Sequence, residues 1–243
     1  WSDQPPGTNM SNNGAHAKGV MSFDQSTGFF LRHSTPRFPL AASTGKYAGF
    51  PDYARIYGQT FLCVSYSLST LNEIASQFIL NGVRVYDSNV PTDIGQQFPN
   101  LAILASDIPT VKTPFHFRSF LSLAGNNFTD FAKSRYCDCE LYASVVAPAL
   151  RNDMAVLSWG RPLMGSGCRP ATQFDVLDIS GMTLHNTPEG TITYNETKEH
   201  SKLGFGSKND MLCVGDINRM TSQASRGGGT TCFANSGLWR ALT

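Results

Sequence analysis

Two short motifs, one near each end of the chain, constrain its fold most: His16-Ala17-Lys18 and His200-Ser201-Lys202. Each runs directly into an apolar stretch that is typical of a β-strand. Side chains alternate between the two faces of a strand, so a His and a Lys two positions apart project from the same face and can grip a phosphate. One such motif is more often solvated surface, but a matched pair is rare by chance in a chain with five His. We therefore expect the two imidazoles to converge on one phosphate-binding site.

Length and charge exclude some classes of protein. At 243 residues, the chain fits one large domain or two fused halves. It has no apolar run of about 18 residues, so we expect no membrane span, and its opening at Trp1 indicates a fragment or a processed form. The net charge of +1 is poor for binding nucleic acid at neutral pH. Protonation of every His would raise it to about +6, which favours polyanion binding in acid; the alternative is a neutral surface with incidental His.

The cysteines and glycosylation motifs indicate an oxidising compartment. The chain has six Cys and three Asn-x-Ser/Thr motifs, at Asn9, Asn127 and Asn195. No Cys lies in a double Cys-x-x-Cys arrangement, and Cys137-Asp138-Cys139 is too tight for a usual zinc half-site. We therefore expect disulfides and no metal site.

A hairpin follows the first motif. Residues 18–23 and 28–33 read as strands joined by a turn at 24–27. A four-residue loop would place His33 opposite Lys18, on the face that carries His16, whereas a five-residue loop would turn His33 away. His33 is thus either a third site residue or a buried or capping histidine.

The remaining pattern alternates strands and helices. The capping box Thr70-Leu71-Asn72-Glu73 predicts a helix that ends at Asn81-Gly82. A second helix is predicted over 139–150. Strands are predicted over 57–65, 115–123, 154–159, 175–179, 191–194 and 211–214.

The two motifs open similar segments. Each is followed by a turn and a return strand that carries a polar residue, which is His33 or Ser34 in the first segment and Asn218 in the second. This indicates a degenerate internal repeat. The run Arg226-Gly227-Gly228-Gly229-Thr230 either offers backbone donors and a guanidinium to a DNA phosphate or is a flexible connector.

Several stretches together resemble the deoxyribonuclease II family, the acid endonucleases of the phospholipase D superfamily. The matching stretches span nearly the whole chain and are more specific than any one motif. They are Asp3-Gln4-Pro5-Pro6, His16-Ala17-Lys18-Gly19-Val20, residues 28–34 with Phe38-Pro39, Tyr57-Gly58-Gln59-Thr60 with Cys63-Val64-Ser65, Asn195-Glu196-Thr197, residues 213–219, and residues 226–230 with Cys232.

The resemblance implies an α/β fold of two phospholipase-D-like halves, related by a pseudo-two-fold axis, with mixed sheets flanked by helices. The halves would be residues 1–110, without the family's leading segment, and residues 111–243. One active site without metal or other cofactor would form where the halves meet. Its implied catalytic residues are His16, Lys18, His200 and Lys202, and its expected substrate-binding residues are His33, Asn218 and Arg226.

Some positions follow the family and others depart from it. By resemblance Cys213 pairs with Cys232, whereas Cys63 and Cys168 match cysteines bonded to segments that this sequence does not contain; Cys137 and Cys139 have no counterpart. Phe23 stands where phospholipase-D motifs carry an Asp, with Asp24 one position late. Asp216 replaces a Ser, and we expect it to orient a His or Lys rather than to touch substrate.

The implied activity is endonucleolytic hydrolysis of double-stranded DNA in acid, which leaves 3′-phosphate and 5′-hydroxyl ends. His16 would attack phosphorus to form a phosphohistidine and His200 would protonate the leaving oxygen, with the opposite assignment open. The resemblance implies a lysosomal or secreted protein without membrane attachment, and a homodimer is one option. Two alternatives are a secreted paralogue that binds nucleic acid or a protein without cleavage, and a phosphodiesterase of lipid head groups.

Overall fold

The chain folds into β-sheets packed against short helices. The structure, a computed structural model, describes residues 1–7, 14–106, 111–160 and 164–243. The strands are β1 Gly19–Phe23, β2 Thr27–His33, β3 Phe61–Ser67, β4 Phe115–Leu121, β5 Asn127–Lys133, β6 Met154–Ser158, β7 Val176–Asp178, β8 Gly181–Thr187, β9 Gly190–Asn195, β10 Lys202–Gly206, β11 Met211–Gly215 and β12 Gly228–Ala234. The α-helices are α1 Leu68–Asn81, α2 Thr92–Gln97, α3 Pro99–Ala105, α4 Ala147–Leu150 and α5 Ser236–Leu242. A π-helix at Tyr142–Val146 precedes α4, and short 3-10 helices lie at Ala42–Thr44, Asp52–Ala54, Glu196–Lys198 and Thr221–Gln223.

Two sheets carry the two His-x-Lys motifs. The antiparallel three-stranded sheet has the order β1-β2-β3, and the seven-stranded sheet has the order β4-β5-β12-β11-β10-β6-β7. The larger sheet is mixed because β7 runs parallel to β6. Strands β8 and β9 form a separate hairpin. The predicted α/β class with mixed sheets is confirmed.

The first hairpin has the register that the four-residue loop predicts. Phe23 lies opposite Gly28, and the His33 N–H donates to the Lys18 carbonyl at 3.2 Å. Asp24 stabilises the turn, because its Oδ1 accepts from the N–H groups of Ser26 and Thr27 at 2.7 and 2.8 Å.

Helix α1 packs one apolar face into the larger hydrophobic core. Its buried positions include Leu71, Ile74 and Phe78, at helical spacing. Gly82 ends the helix as predicted: its φ is 73°, and its N–H donates to the Phe78 and Ile79 carbonyls at 3.1 Å. The predicted capping box is wrong, however, since Ser67 is the N-cap and Glu73 instead pairs with Arg118.

The glycine run near the carboxyl end is not a flexible connector, and a phosphate contact from it stays a prediction. Gly228 and Gly229 open strand β12, which lies between β5 and β11 in the seven-stranded sheet. A Cβ at Gly229 would overlap the Phe131 carbonyl, and one at Gly227 would overlap the Asn81 carbonyl. The run therefore permits close backbone approach, which a side chain would prevent.

Other element boundaries also differ from prediction. The strand predicted over 57–65 begins later, at Phe61, and the helix predicted over 139–150 begins at Leu141. Strands β5 and β12 were not predicted, because their buried positions include Asp130, Lys133 and Thr230 rather than alternating apolar residues.

A buried ion-pair triad joins the two sheets. Arg32 of β2 contacts Asp130 Oδ1 of β5 at 2.7 Å and Asp216 Oδ2, just beyond β11, at 2.9 Å. The Arg32 guanidinium also lies 5.4 Å from the centre of the Phe78 ring. The parts of the chain on either side of residues 107–110 therefore share a buried contact.

Candidate active site

Both His-x-Lys motifs line the same pocket. Its volume is about 190 Å³. The walls come from both ends of the chain and from loops that follow β2 and β6: Gln4, His16, Lys18, Ser34, Pro36, Trp159, His200, Lys202 and Asn218. The expected convergence of the two motifs is thus present, and one pocket offers two imidazoles and two ammonium groups.

A backbone hydrogen bond to the glycine run positions His16. His16 lies just before β1, and its N–H donates to the Gly227 carbonyl at 2.9 Å. Gly227 in turn lies against the Asn81 carbonyl at the end of α1. The close packing of Gly227 therefore fixes the backbone that carries His16 relative to the second sheet.

A buried carboxylate pairs with the first motif. Asp3 is 2% exposed, and its Oδ1 lies 2.7 Å from Lys18 Nζ. Its Oδ2 lies 3.8 Å from His16 Nε2 and 3.2 Å from Arg226 Nη2. These cations hold the pKa of Asp3 at about 2 against the raising effect of burial, so Asp3 is ionised throughout the acid range.

Contacts with Tyr57, Gly58 and Glu199 position His200 and its loop. The N–H groups of His200 and Ser201 both donate to the Gly58 carbonyl, at 2.9 and 3.1 Å. The ring of Tyr57 lies 4.2 Å from the His200 ring, centre to centre. Buried Glu199 supports this loop, because its Oε1 accepts from the Ser201 N–H at 2.6 Å.

Lys202 is buried without a carboxylate at ion-pair distance among the described residues. Its Nζ donates to the His200 carbonyl. Burial is the main cause that lowers the pKa of Lys202, with Lys18 adding to it, and the resulting value is about 7. Lys18 and Lys202 thus differ in how their charges are compensated.

Both imidazoles favour the neutral form in the free protein. Burial and the nearby Lys18 hold the pKa of His16 well below its usual range. Burial, together with Lys202 and Lys18, lowers the pKa of His200 to about 4.

Two of the expected substrate-binding residues do not line the pocket. His33 is buried, stacks on Phe61 with ring centres 5.6 Å apart, and meets Phe38 edge-on at 5.7 Å. Burial is the first cause that lowers its pKa, to about 3. The next residue, Ser34, reaches the pocket instead.

The Arg226 guanidinium also lies outside the pocket lining, and it donates to Asp3 at 3.2 Å and to the Gly14 carbonyl at 2.9 Å. Substrate binding by His33 and Arg226 stays a prediction.

Asn218 and Asp216 lie on one loop with different surroundings. Asn218 lines the pocket, and its Oδ1 has no hydrogen-bond partner within the described part of the chain. Asp216 forms its ion pair with Arg32, not with a pocket His or Lys. The expectation that Asp216 directly orients a His or Lys is therefore wrong.

Sequence reasoning missed several pocket residues. Gln4 lies in a matched stretch and Trp159 at the end of a predicted strand, but neither position carries a signal for a site role, and the same holds for Asp3, which contacts His16 and Lys18 beside the pocket. Their contribution depends on tertiary packing, because Asp3 meets Lys18 and Arg226 from distant parts of the chain. Among the described ranges, no group of three His, Cys, Asp or Glu side chains is arranged to hold a metal ion.

The cysteines fall into three groups. Cys213 and Cys232 lie opposite each other on β11 and β12 and form the expected disulfide. Cys137 and Cys139 form a second one, for which the sequence indicated no partner. Cys63 and Cys168 are exposed free thiols.

The candidate glycosylation sites differ in what the structure describes. Asn127 and Asn195 are exposed, whereas Asn9 lies outside the described residues. No helix within the described ranges is long and apolar enough to cross a membrane.

Comparison with known proteins places these features in a family. The deoxyribonuclease II family model matches residues 1–243. The chain is 36% identical to Deoxyribonuclease-2 of Caenorhabditis elegans over 94% of its own length, and 35% identical to Deoxyribonuclease-2-alpha of Sus scrofa over 100%. It is 32% identical to Plancitoxin-1 of Acanthaster planci, again over 100%. It spans 59% to 67% of the length of these relatives. The chain belongs to the deoxyribonuclease II family.

Proposed function

We propose that this chain is a metal-independent acid endonuclease that hydrolyses double-stranded DNA to 3′-phosphate and 5′-hydroxyl ends. The observation that carries the proposal is the single pocket lined by His16, Lys18, His200 and Lys202. Family membership and the names of the deoxyribonuclease relatives support DNA as the substrate.

The chemistry needs a nucleophile, an acid and fixed positive charge. Neutral His16 attacks phosphorus, so that an N–P bond forms while the bond from phosphorus to the 5′ oxygen breaks. Protonated His200 gives its proton to that oxygen. Water then attacks phosphorus, returns a proton to His200 and releases the 3′-phosphate end from His16. Lys18, Lys202 and Asn218 surround the phosphoryl oxygens during both steps.

The protonation states support this assignment. The pKa of His16 lies well below its usual range, as a nucleophile in acid requires. The pKa of His200 is about 4 in the free protein, and a bound phosphodiester anion would raise it. The rate should therefore be bell-shaped against pH with an acid optimum.

We further propose that residues 1–110 and 111–243 are two phospholipase-D-like halves related by a pseudo-two-fold axis. Supporting observations are the antiparallel triplets β1-β2-β3 and β10-β11-β12, each of which begins at a His-x-Lys motif. We also propose a lysosomal or secreted location, which the Cys213–Cys232 disulfide and the exposed Asn127 and Asn195 support.

The first test is plasmid cleavage across pH in excess chelator. Wild type should cleave with a maximum near pH 5, and His16→Gln and His200→Gln should each lose at least about 10³-fold in rate. His185→Gln is the matched control, because His185 is exposed on β8. A maximum near neutral pH, loss on chelation, or full activity of either pocket variant would reject the proposal.

A second test separates the two imidazoles. An oligonucleotide with sulfur in place of the bridging 5′ oxygen has a leaving group that needs no proton. It should restore cleavage by His200→Gln but not by His16→Gln. The reverse pattern would exchange the two roles.

The alternatives give different results in the same assays. A paralogue that only binds nucleic acid would retain DNA without cutting it at any pH. A phosphodiesterase of lipid head groups would prefer phosphatidyl substrates to DNA. The presence of both imidazoles and both ammonium groups in the pocket favours catalysis over binding alone.

A further inference from the structure

Asp3 is a buried carboxylate that contacts the two residues of the first His-x-Lys motif beside the pocket. Of the described residues, His16, Lys18 and Arg226 contact it directly, and Lys202 interacts with it electrostatically at longer range. The two cations lie at ion-pair distance, and the imidazole lies at 3.8 Å. Because Asp3 is 2% exposed, water does not screen these contacts strongly.

Within the part of the chain that the structure describes, no other carboxylate takes this position beside His16. Phe23, at the position where phospholipase-D motifs carry an Asp, packs against the hydrophobic core. Asp24, one position later, stabilises an exposed turn. Asp3 instead approaches His16 from the N-terminal segment, in which the neighbouring Ser2 forms an antiparallel β-bridge with Lys18, just before β1.

The charge around His16 is mostly positive without Asp3. The charged groups that act on its imidazole are Lys18, Lys202, Arg226 and Asp3, of which Asp3 is the single negative one within the described ranges. Loss of that charge would leave buried Lys18 without its ion pair and would disfavour imidazolium at His16 further.

We propose that Asp3 is a positioning residue of the active site, which holds Lys18 toward the pocket, tethers Arg226 and supplies the negative charge beside His16. The inference rests on the proposed function. Asp3 itself is not expected to touch substrate, because a phosphate oxygen would be repelled by the carboxylate.

The test compares Asp3→Asn, which keeps the shape, with Asp3→Glu, which keeps the charge. Asp3→Asn should lower kcat by about 10²-fold and move the acid limb of the pH–rate profile to lower pH by about one unit, because the His16 pKa falls. Asp3→Glu should keep the acid limb in place while the rate stays reduced. Asp52→Asn is the matched control, since Asp52 is an exposed carboxylate paired with Arg55.

A second readout needs no catalysis. NMR titration of the His16 imidazole, assigned by its absence in His16→Gln, should give a lower pKa in Asp3→Asn than in wild type. A reduced rate with unchanged acid limb and unchanged His16 titration would show a merely structural role and overturn the proposal. If wild type does not cleave DNA, a shifted titration still supports the assignment of Asp3 while the proposed function fails. If Asp3→Asn does not fold, Asp3→Glu decides, because a lowered His16 pKa in that variant contradicts the proposal.

Discussion

Replacement of Arg32 by Met should destabilise the protein strongly, and more at neutral than at acid pH. Arg32 is fully buried and pairs with both Asp130 and Asp216. Removal of one partner of a buried ion pair typically costs about 3–5 kcal/mol, because the other charge stays buried without compensation. Here two carboxylates lose the same guanidinium, so we expect a loss near the upper end, about 5 kcal/mol, at pH 8.

The pH dependence follows from the pKa directions. Burial raises the pKa of Asp130 and raises that of Asp216 to about 7, and Arg32 opposes both shifts. Without Arg32 both folded-state pKa values rise further, so the folded state binds more protons than the unfolded state. Stability of the variant therefore falls as pH rises from about 4 through the folded-state pKa values. At pH 5 both carboxyls are largely protonated in the variant, and the loss should shrink to about 2 kcal/mol.

Urea unfolding followed by circular dichroism at pH 5 and pH 8 measures both losses. Arg118→Met is the matched control, because its pair with Glu73 is exposed and should contribute less than about 1 kcal/mol. Arg32→Met with Asp216→Asn should recover part of the loss at pH 8 but little at pH 5. An equal loss at both pH values, or a loss no larger than that of the control, would refute the reasoning.

Three further predictions concern the pocket and its support. Gly227→Ala should lower the rate of DNA cleavage at least about 10²-fold and destabilise the fold by about 1–3 kcal/mol, since the added Cβ would overlap the Asn81 carbonyl and displace the backbone that holds His16. Gly237→Ala, which has room for a Cβ, is the control, and a wild-type rate in Gly227→Ala would contradict the prediction. Replacement of Cys213 and Cys232 by Ala should lower the free energy of unfolding by about 3 kcal/mol through the freed loop, whereas an unchanged urea midpoint would show that this loop is not constrained by the bond. The pKa of Lys202 is about 7, so KM for DNA should rise in wild type as pH increases through 7. In Lys202→Arg, KM should stay constant over the same range, because the guanidinium remains charged. Parallel KM curves for the two proteins would show that another group causes the rise.

The sequence predicts elements whose signals are local. The hairpin register depends on a four-residue turn between Phe23 and Gly28, and the end of α1 depends on Gly82, so both are readable from neighbouring residues. Strands β5 and β12 are different, because buried Asp130 of β5 pairs with Arg32 and accepts a hydrogen bond from Thr231 of β12. Their burial depends on partners that only the complete fold supplies.

The same distinction applies to the pocket. The repeated His-x-Lys motif marks four of its wall residues, because a matched pair is visible without the fold. The repeat leaves His33 and Ser34 as two options, and the fold selects Ser34, because His33 at the end of β2 stacks on Phe61 instead. Trp159 and the role of Asp3 carry no periodic or motif signal, since each depends on contacts between distant segments.

The two halves of the pocket are chemically unequal, and this inequality suits a reaction that needs one neutral and one protonated imidazole. In the first half, Asp3 neutralises Lys18 directly. In the second, Glu199 is used to bind backbone, and Lys202 donates only to a carbonyl within the described contacts. A bound phosphodiester would therefore add a negative charge at the Lys202 ammonium, which has no carboxylate at ion-pair distance among the described residues, and it would raise the proton affinity of His200 and Lys202 together. Substrate would thus favour protonation of His200 and Lys202, while burial and the nearby Lys18 keep the pKa of His16 well below its usual range.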